Sequence, residues 1–148
     1  MPARDLSEAE IMDILEQQRI VRIAFRGEDG PYVVPLGYVW HQGTICCIAS
    51  EGRKTGLVRK DGRVSFQLDT SAETGTYSWK SVTGQGEARI LSEETELARV
   101  FQLLMARFSA MPEWARAEFA ARRETQQYVV LKVTPIGMTG RAYEGPSG

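Results

Sequence analysis

At residue 20 the sequence changes period, and the new period leaves few folds open. Ahead of that point, Ile11, Ile14 and Leu15 recur at helical spacing behind Ser7-Glu8-Ala9-Glu10. This is a capping box: the Ser7 hydroxyl accepts from the third helical N–H and Glu10 reaches back. The spacing predicts a short helix over 8–18 with one buried face. Beyond it, Val21, Ile23 and Phe25 alternate with Arg22, Ala24 and Arg26. Later, Val64, Phe66 and Leu68 alternate with Arg63, Ser65 and Gln67. Period-two alternation marks a strand with one face in a core and one in water. A chain built of several such strands must curl its sheet to bury the apolar faces.

Turn signals divide the rest. Glu28-Asp29-Gly30 suits a tight hairpin. PYVVPLGYVW, residues 31–40, reads as a strand interrupted by Pro35, which cannot donate to a ladder, and by Gly37, which admits another group close to the backbone. His41-Gln42-Gly43 turns the chain into TICCIAS, a short buried strand. Residues 52–60 read as one or two helical turns with Leu57 and Val58 inward. Residues 63–69 are a strand and 70–76 a polar loop. Residues 77–91 are a long strand, weakened or bulged at Gly84 and Gly86. Ser92 is placed to cap a helix with Glu93, Glu94 and Glu96 in its first turn. The stripe of that helix is Leu97, Val100, Phe101, Leu104, Met105 and Phe108, suited to internal core or to an interface. Met111-Pro112 ends it, and Pro112 opens a further helix over 112–124. A last strand at 127–133 precedes a frayed Gly-Pro-Ser-Gly tail. The reading is a mainly β chain, one domain over 1–148. Its six strands, mostly hairpin-linked and antiparallel, close as a small barrel with helices over the gaps.

Composition narrows the partners. A length of 148 residues, 43% of them hydrophobic, supplies one real core. A net charge of -1 gives no electrostatic footprint for wrapping nucleic acid. The two cysteines, Cys46 and Cys47, are adjacent in a strand, so they point to opposite faces and cannot bridge each other. With no disulfide framework, a reducing cytoplasm fits. No apolar run approaches a membrane span, and the N-terminus lacks an apolar signal core.

The chemistry-bearing residues are few. His41 is the sole histidine and falls in a hairpin turn, so neither a metal set nor a Ser-His-Asp triad can be assembled. Cys46 and Cys47 read as small buried hydrophobes. The carboxylates fall mostly on helix starts and solvated faces. The basic turn EGRK is more informative. Gly52 allows close backbone approach, Arg53 can fork onto a phosphate, and Lys54 adds a point charge. A helix starting near Gly52 would aim free N–H groups at the same anion. Lys80 and Ser81 form a second polar set. Spacing alone leaves open a solvated turn or a phosphate cradle. PYVVPLGYVW poses a parallel choice: a bulged edge strand, or backbone groups left free for the edge of a planar heterocycle.

Four segments in this order, PYVVPLGYVW, ASEGRK with LVRKDGRVSF behind it, SVTGQGEARIL and PIGMTGR, resemble the FMN-binding split barrels of the pyridoxamine 5'-phosphate oxidase type. The nitroimidazole-resistance flavoprotein group is the branch most similar to them. The resemblance covers about residues 8–91 and 127–141. It implies a homodimer with two flavins at the subunit interface, each touched by both chains. It implies that the backbone of Pro35, Leu36, Gly37 and Tyr38 lies along the isoalloxazine ring. Ile48, Ala49 and Ser50 would flank the ribityl chain, and Gly52, Arg53 and Lys54 would hold the phosphate. Lys80 and Ser81 would reach the flavin from a neighbouring strand. Tyr77, Trp79 and Trp114 are candidates to shield the ring. The sequence departs from the pattern in three places. Ile48 stands where that group commonly has a histidine, residues 111–126 do not match, and the oxidase branch's C-terminal substrate motif is missing.

The expectation is therefore a flavoprotein with FMN as cofactor, an oxidoreductase acting on a small, nitroaromatic-type substrate. No side chain stands out as acid or base. Two other classes share the same motifs: a non-enzymatic flavin, deazaflavin or haem binding module, and a cofactor-free scaffold dimer.

Overall fold

The computed structural model describes residues 3–108 and 111–145, so of the expected tail, residues 146–148 lie outside the described residues. The chain enters through a two-residue strand, β1 (Arg4–Asp5), and the capping box then forms as the sequence predicts. Glu10 N donates to Ser7 Oγ at 3.2 Å and Ser7 N donates to the Glu10 carboxylate at 3.1 Å, starting α1 (Glu8–Gln17). Its face of Ile11, Ile14 and Leu15 is buried in the main core.

The alternating runs become strands: β2 (Ile20–Gly27), β3 (Gly30–Gly37), β4 (Val39–His41) and β5 (Thr44–Ser50). The second hairpin turns at Gln42-Gly43, with φ 50° and 75°, the primed-turn pattern that matches strand twist, while in the first the positive φ of 110° falls on Gly30, just after the central Glu28 and Asp29. Helix α2 (Arg53–Lys60) leads into β6 (Arg63–Asp69) and one helical turn, α3 (Ser71–Thr74), where a loop was expected. Then come β7 (Ser78–Leu91), α4 (Glu94–Arg107), α5 (Glu113–Thr125) and β8 (Tyr128–Glu144).

All strands join one antiparallel sheet in the order β3-β2-β6-β7-β8-β5-β4, with β1 on the end of β8. The order explains the shape. Its two ends, β3 and β4, are consecutive in the chain and separated only by Tyr38. Gly37 and Val39 therefore lie within about 7.6 Å of each other, two Cα steps of about 3.8 Å at most. The two edges of the sheet must meet at that corner, yet no ladder joins them. The sheet curls into a barrel that is split along this line, the expected fold class.

Tyr38 pins the corner. Its ring is fully buried, its hydroxyl donates to Leu15 O at 2.7 Å, and its N–H donates to Arg19 O at 3.0 Å. The barrel interior is the main core, with Phe25, Ile23, Leu68, Val82, Leu131 and Val133 fully or almost fully buried. A second core lies outside the barrel, where Val100 and Leu104 of α4 pack on Val39, Cys46 and Val130. The α4 stripe is thus internal. The adjacent cysteines do face opposite ways, Cys47 into the barrel core and Cys46 into the α4 layer.

Three further expectations need correction. Among the described residues the strand count is eight rather than six, because 31–40 bends at Tyr38 into two strands and β1 adds one more. The last strand does not stop at 133 but runs to Glu144, passing Pro135 because the register shifts beside Gln85 and Gly86 and Ile136 bulges out, 75% exposed. Gly84 of β7, held between β6 and β8, has no room for a side chain: a Cβ there would stand 2.4 Å from the Phe66 ring of β6 and 2.8 Å from Gly137 O of β8. Ser92 does not cap α4, whose N-cap is Glu93, without a side-chain bond.

Replacing Tyr38 by Phe keeps the ring and deletes the bond to Leu15. We expect a loss of about 1 kcal/mol, the typical net contribution of a buried hydrogen bond, read by denaturant unfolding. A variant as stable as the parent would show that the corner is held by packing alone.

Candidate functional site

The split defines the site. Beyond Cys46, β5 has β8 on one side and no strand on the other, because β4 pairs only with Thr44 to Cys46. β3 has only β2. Across the gap β3 and β5 approach to within 8 Å between Cα atoms without sharing a ladder. Register tells which backbone groups face the gap. In an antiparallel pair the bonded positions alternate. The two-residue hairpin pairs Gly27 with Gly30, so Tyr32, Val34 and Leu36 spend their N–H and C=O on β2. Pro31, Val33, Pro35 and Gly37 turn theirs to the gap, where the two prolines lose nothing by lacking an N–H. By the same alternation Ile45, Cys47 and Ala49 bond to β8, a series that Glu51 N continues by donating to Gln127 O at 3.0 Å. The N–H and C=O of Ile48 and Ser50 therefore face the gap from the other side.

At the mouth of this slit the chain makes the basic turn and starts α2. Gly52 N donates to Thr55 Oγ1 at 2.9 Å, and that hydroxyl also contacts Glu51 Oε2 at 2.9 Å. Arg59 closes on Glu51 with two bonds of 2.6 and 2.7 Å. This fork, with help from Thr55, pulls the Glu51 carboxyl down from the usual 4.5 to about 2. The first intrahelical bond of α2 is Gly56 N to Gly52 O, which leaves the N–H groups of Arg53, Lys54 and Thr55 at the helix start. Arg53 lays its guanidinium over the Tyr32 ring, 4.1 Å from the centroid, and thereby ties α2 to β3. Lys54 is half-buried, and among the described residues neither it nor Arg53 has a carboxylate partner.

The structure thus brings together Pro35, Leu36 and Gly37 on one edge, Ile48, Ala49 and Ser50 on the other, and Gly52, Arg53 and Lys54 at the mouth. Leu36 and Ala49 contribute their side chains to the core rather than to the gap. Tyr38 stands at the closed end, with both its hydroxyl and its N–H already bonded. Lys80 and Ser81 are not brought to this place. Ser81 pairs with Asp69, at the opposite end of β6 from α2, five residues or about 17 Å from Val64. Lys80 Nζ lies 3.4 Å from Glu10, and Ser81 Oγ accepts from Gln67 at 3.0 Å. Of the aromatic candidates, Trp79 stacks on Tyr143 at 6.0 Å, while Tyr77 and Trp114 are largely exposed.

Sequence reasoning missed Tyr32, Thr55, Glu51 and Arg59. A signal was present: Glu51, Thr55 and Arg59 are spaced four apart, one face of a helix extended backwards by a turn. The segment 111–126 also gains a role. Phe119 of α5 packs between Phe101, tilted at 5.3 Å, and Tyr128, stacked at 5.5 Å, and Tyr128 is the register partner of Ser50. Helix α5 is therefore anchored next to the slit's mouth, although none of its residues is buried.

A concavity of about 760 Å³ lies elsewhere, on the outward face of β2, β3, β6, β7 and β8. Gly84 and Gly137 contribute to its floor, with Arg22, Val33, Gln67 and Met138 around them. It is an open sheet face rather than an enclosed pocket, and it adjoins the slit through β3, since Val33 lines it. Among the described residues no three His, Cys, Asp or Glu side chains are grouped to hold a metal, and no helix is long and apolar enough to cross a membrane.

A family model described as pyridoxamine 5'-phosphate oxidase matches residues 7–142. An uncharacterized protein of Rhizobium meliloti is 29% identical over 86 residues, 58% of this chain and 56% of that one, so the match spans about half the length of the relative. Among solved structures, an FAD-binding protein from Mesorhizobium loti superposes with a TM-score of 0.75 at 24% identity, covering 96% of this chain and 99% of that chain. A candidate 5-nitroimidazole antibiotic resistance protein from Bacteroides thetaiotaomicron gives 0.71 at 18%, covering 96% and 89%. At these identities the likeness is one of fold.

The Glu51–Arg59 fork has a pH signature. A carboxyl whose pKa is lowered in the fold adds stability above its unfolded pKa and loses it as pH falls through the folded one. The parent should therefore exceed Glu51→Gln in stability above about pH 4.5, and the two should converge as pH falls towards about 2. Denaturant unfolding across that range checks it, and a pH-independent difference would remove the fork as its cause.

Proposed function

The chain belongs to the pyridoxamine 5'-phosphate oxidase family, and from that premise we propose that it is an FMN-binding oxidoreductase with the flavin in the slit between β3 and β5. One observation carries the reading: Arg53 and Lys54, two cations without a carboxylate partner among the described residues, flank N–H groups at the start of α2 that no intrahelical bond uses. Such a set matches a terminal phosphate in charge and in donors. The slit edges add what a flat heterocycle needs, backbone donors and acceptors of Gly37, Ile48 and Ser50 that no ladder uses. The residues present therefore fit FMN.

Bound FMN supplies hydride or electron transfer. The chain's share is to bind, orient and exclude water. Arg53 and Lys54 hold the phosphate, the strand edges fix the ring plane, and Tyr38 closes the deep end. Cys47 stays out of the chemistry, because full burial pushes its thiol pKa up. The Tyr38 phenol is raised by burial as well and keeps its proton, which it donates in a hydrogen bond to Leu15 O. Catalysis then rests on placing a small acceptor, a nitroaromatic compound in this reading, against the ring.

The same reading includes a homodimer. The open sheet face, with Val33 60% and Ile136 75% exposed, adjoins the slit through β3. A second copy on that face would complete the wall of the flavin site and bring Ser81, distant within one chain, near the partner's slit. Two free buried thiols suit a reducing cytoplasm.

Visible absorption after FMN is added and the excess removed tests the core of this reading; a colourless protein overturns it, and a Soret band moves it to haem. Arg53→Ala and Lys54→Ala should each weaken FMN about tenfold, the loss of one charge-assisted contact, and leave riboflavin nearly unchanged. Parent-like FMN affinity in both variants would remove the phosphate from the basic turn. Sedimentation velocity of the holoprotein should give a dimer, and a monomer that keeps its flavin would exclude a shared site.

A further inference from the structure

The phosphate-binding turn contains an acid that ought to spoil it. Glu51 immediately precedes Gly52, and its carboxylate is one hydroxyl away from the Gly52 N–H, through Thr55 Oγ1. A free carboxylate at that distance would repel an incoming phosphate dianion. It is not free. Arg59 reaches back from two turns along α2 and covers both carboxylate oxygens, at 2.6 and 2.7 Å. The pairing also dictates which cations stay available. Without Arg59, the chain neighbours Arg53 and Lys54 are the cations closest to Glu51 in sequence. With Arg59 in place they have no carboxylate partner, and Arg53 rests on Tyr32 instead.

We propose that Arg59 is a positioning residue for the phosphate site: it neutralises Glu51 and so keeps Arg53 and Lys54 free for the anion. The inference rests on the flavin reading above and deepens it. Arg59 does not touch the phosphate. It acts through Glu51, and Glu51 acts through the Thr55 hydroxyl, which fixes the Gly52 peptide. Glu51, Thr55 and Arg59 form one stack along one helix face. That face organises the turn, while the preceding edge of the helix presents the binding cations.

This arrangement separates charge from structure, and binding of FMN and of riboflavin can read the two apart. Arg59→Met retains length and apolar packing but exposes the Glu51 charge. FMN affinity should fall about tenfold at low salt, the scale of one unscreened charge acting on a dianion several ångströms away in a wet site. Riboflavin, which lacks the phosphate, should change less than twofold. Adding Glu51→Gln to Arg59→Met should restore FMN affinity to within about twofold of the parent, and Arg59→Lys should retain part of it. If the double variant binds FMN no better than Arg59→Met, or if riboflavin falls in parallel, Arg59 supports the helix or meets the phosphate itself, and the proposal is overturned. If the parent binds riboflavin and FMN equally, the phosphate site is absent and the proposal falls with it. If the parent binds neither, it is the flavin reading that fails.

Discussion

Everything in this fold depends on one backbone corner. Because β3 and β4 are the two ends of the sheet order and also neighbours in sequence, the chain can pair its strands only by bringing both sheet edges to Tyr38. Closure is therefore a requirement of connectivity, satisfied by a single side chain that fills the corner and bonds to the end of α1. Hydrophobic burial drives the curling, since the alternating faces of β2, β6, β7, β5 and β8 all point to one interior. The corner decides that the curl ends in contact but not in a ladder.

The split follows from the same constraint. Strands that meet at one point and diverge leave backbone groups unpaired along both lips, and unpaired groups in a cleft are where a polar, planar ligand can bind. β5 ends on one lip and feeds α2 directly, so the helix start and its cations arrive at the mouth without further devices. The ion pair of Glu51 with Arg59 links the residue before the turn to the second turn of α2. The slit is in this sense a consequence of joining the two ends of the sheet through a single residue.

Much of this was legible in the sequence, and for physical reasons. Period-two alternation located the central strands because each has one wet face, and the Ser7 box located α1 because its donors and acceptors are all local. EGRK was legible as the start of a helix, since α2 begins at Arg53, but not as a binding turn, because a glycine beside two cations suits a solvated turn as well. What stayed hidden depended on partners far along the chain. Pro135 and Gly137 read as breakers, and only the bulge opposite β7 lets β8 run past them. Pro35 and Gly37 read as interruptions of one strand, while the actual bend falls at Tyr38, because the corner needs a buried aromatic anchored to α1. Arg59 was passed over because its value lies in the acid it covers, a tertiary fact that spacing four by four only hints at. The placement of Lys80 depends on α1, whose Glu10 takes it.

The two adjacent cysteines gain a use from this architecture. Consecutive residues of β5 sit in different layers, Cys47 sealed inside the barrel and Cys46 under α4. A thiol reagent can reach Cys46 when the helix lifts away from the sheet, but reaches Cys47 only when the strands themselves part. One dipeptide thus carries separate clocks for two modes of opening. Labelling kinetics at these neighbouring sulfurs would order the loosening of the helical cover and of the barrel without any engineered probe.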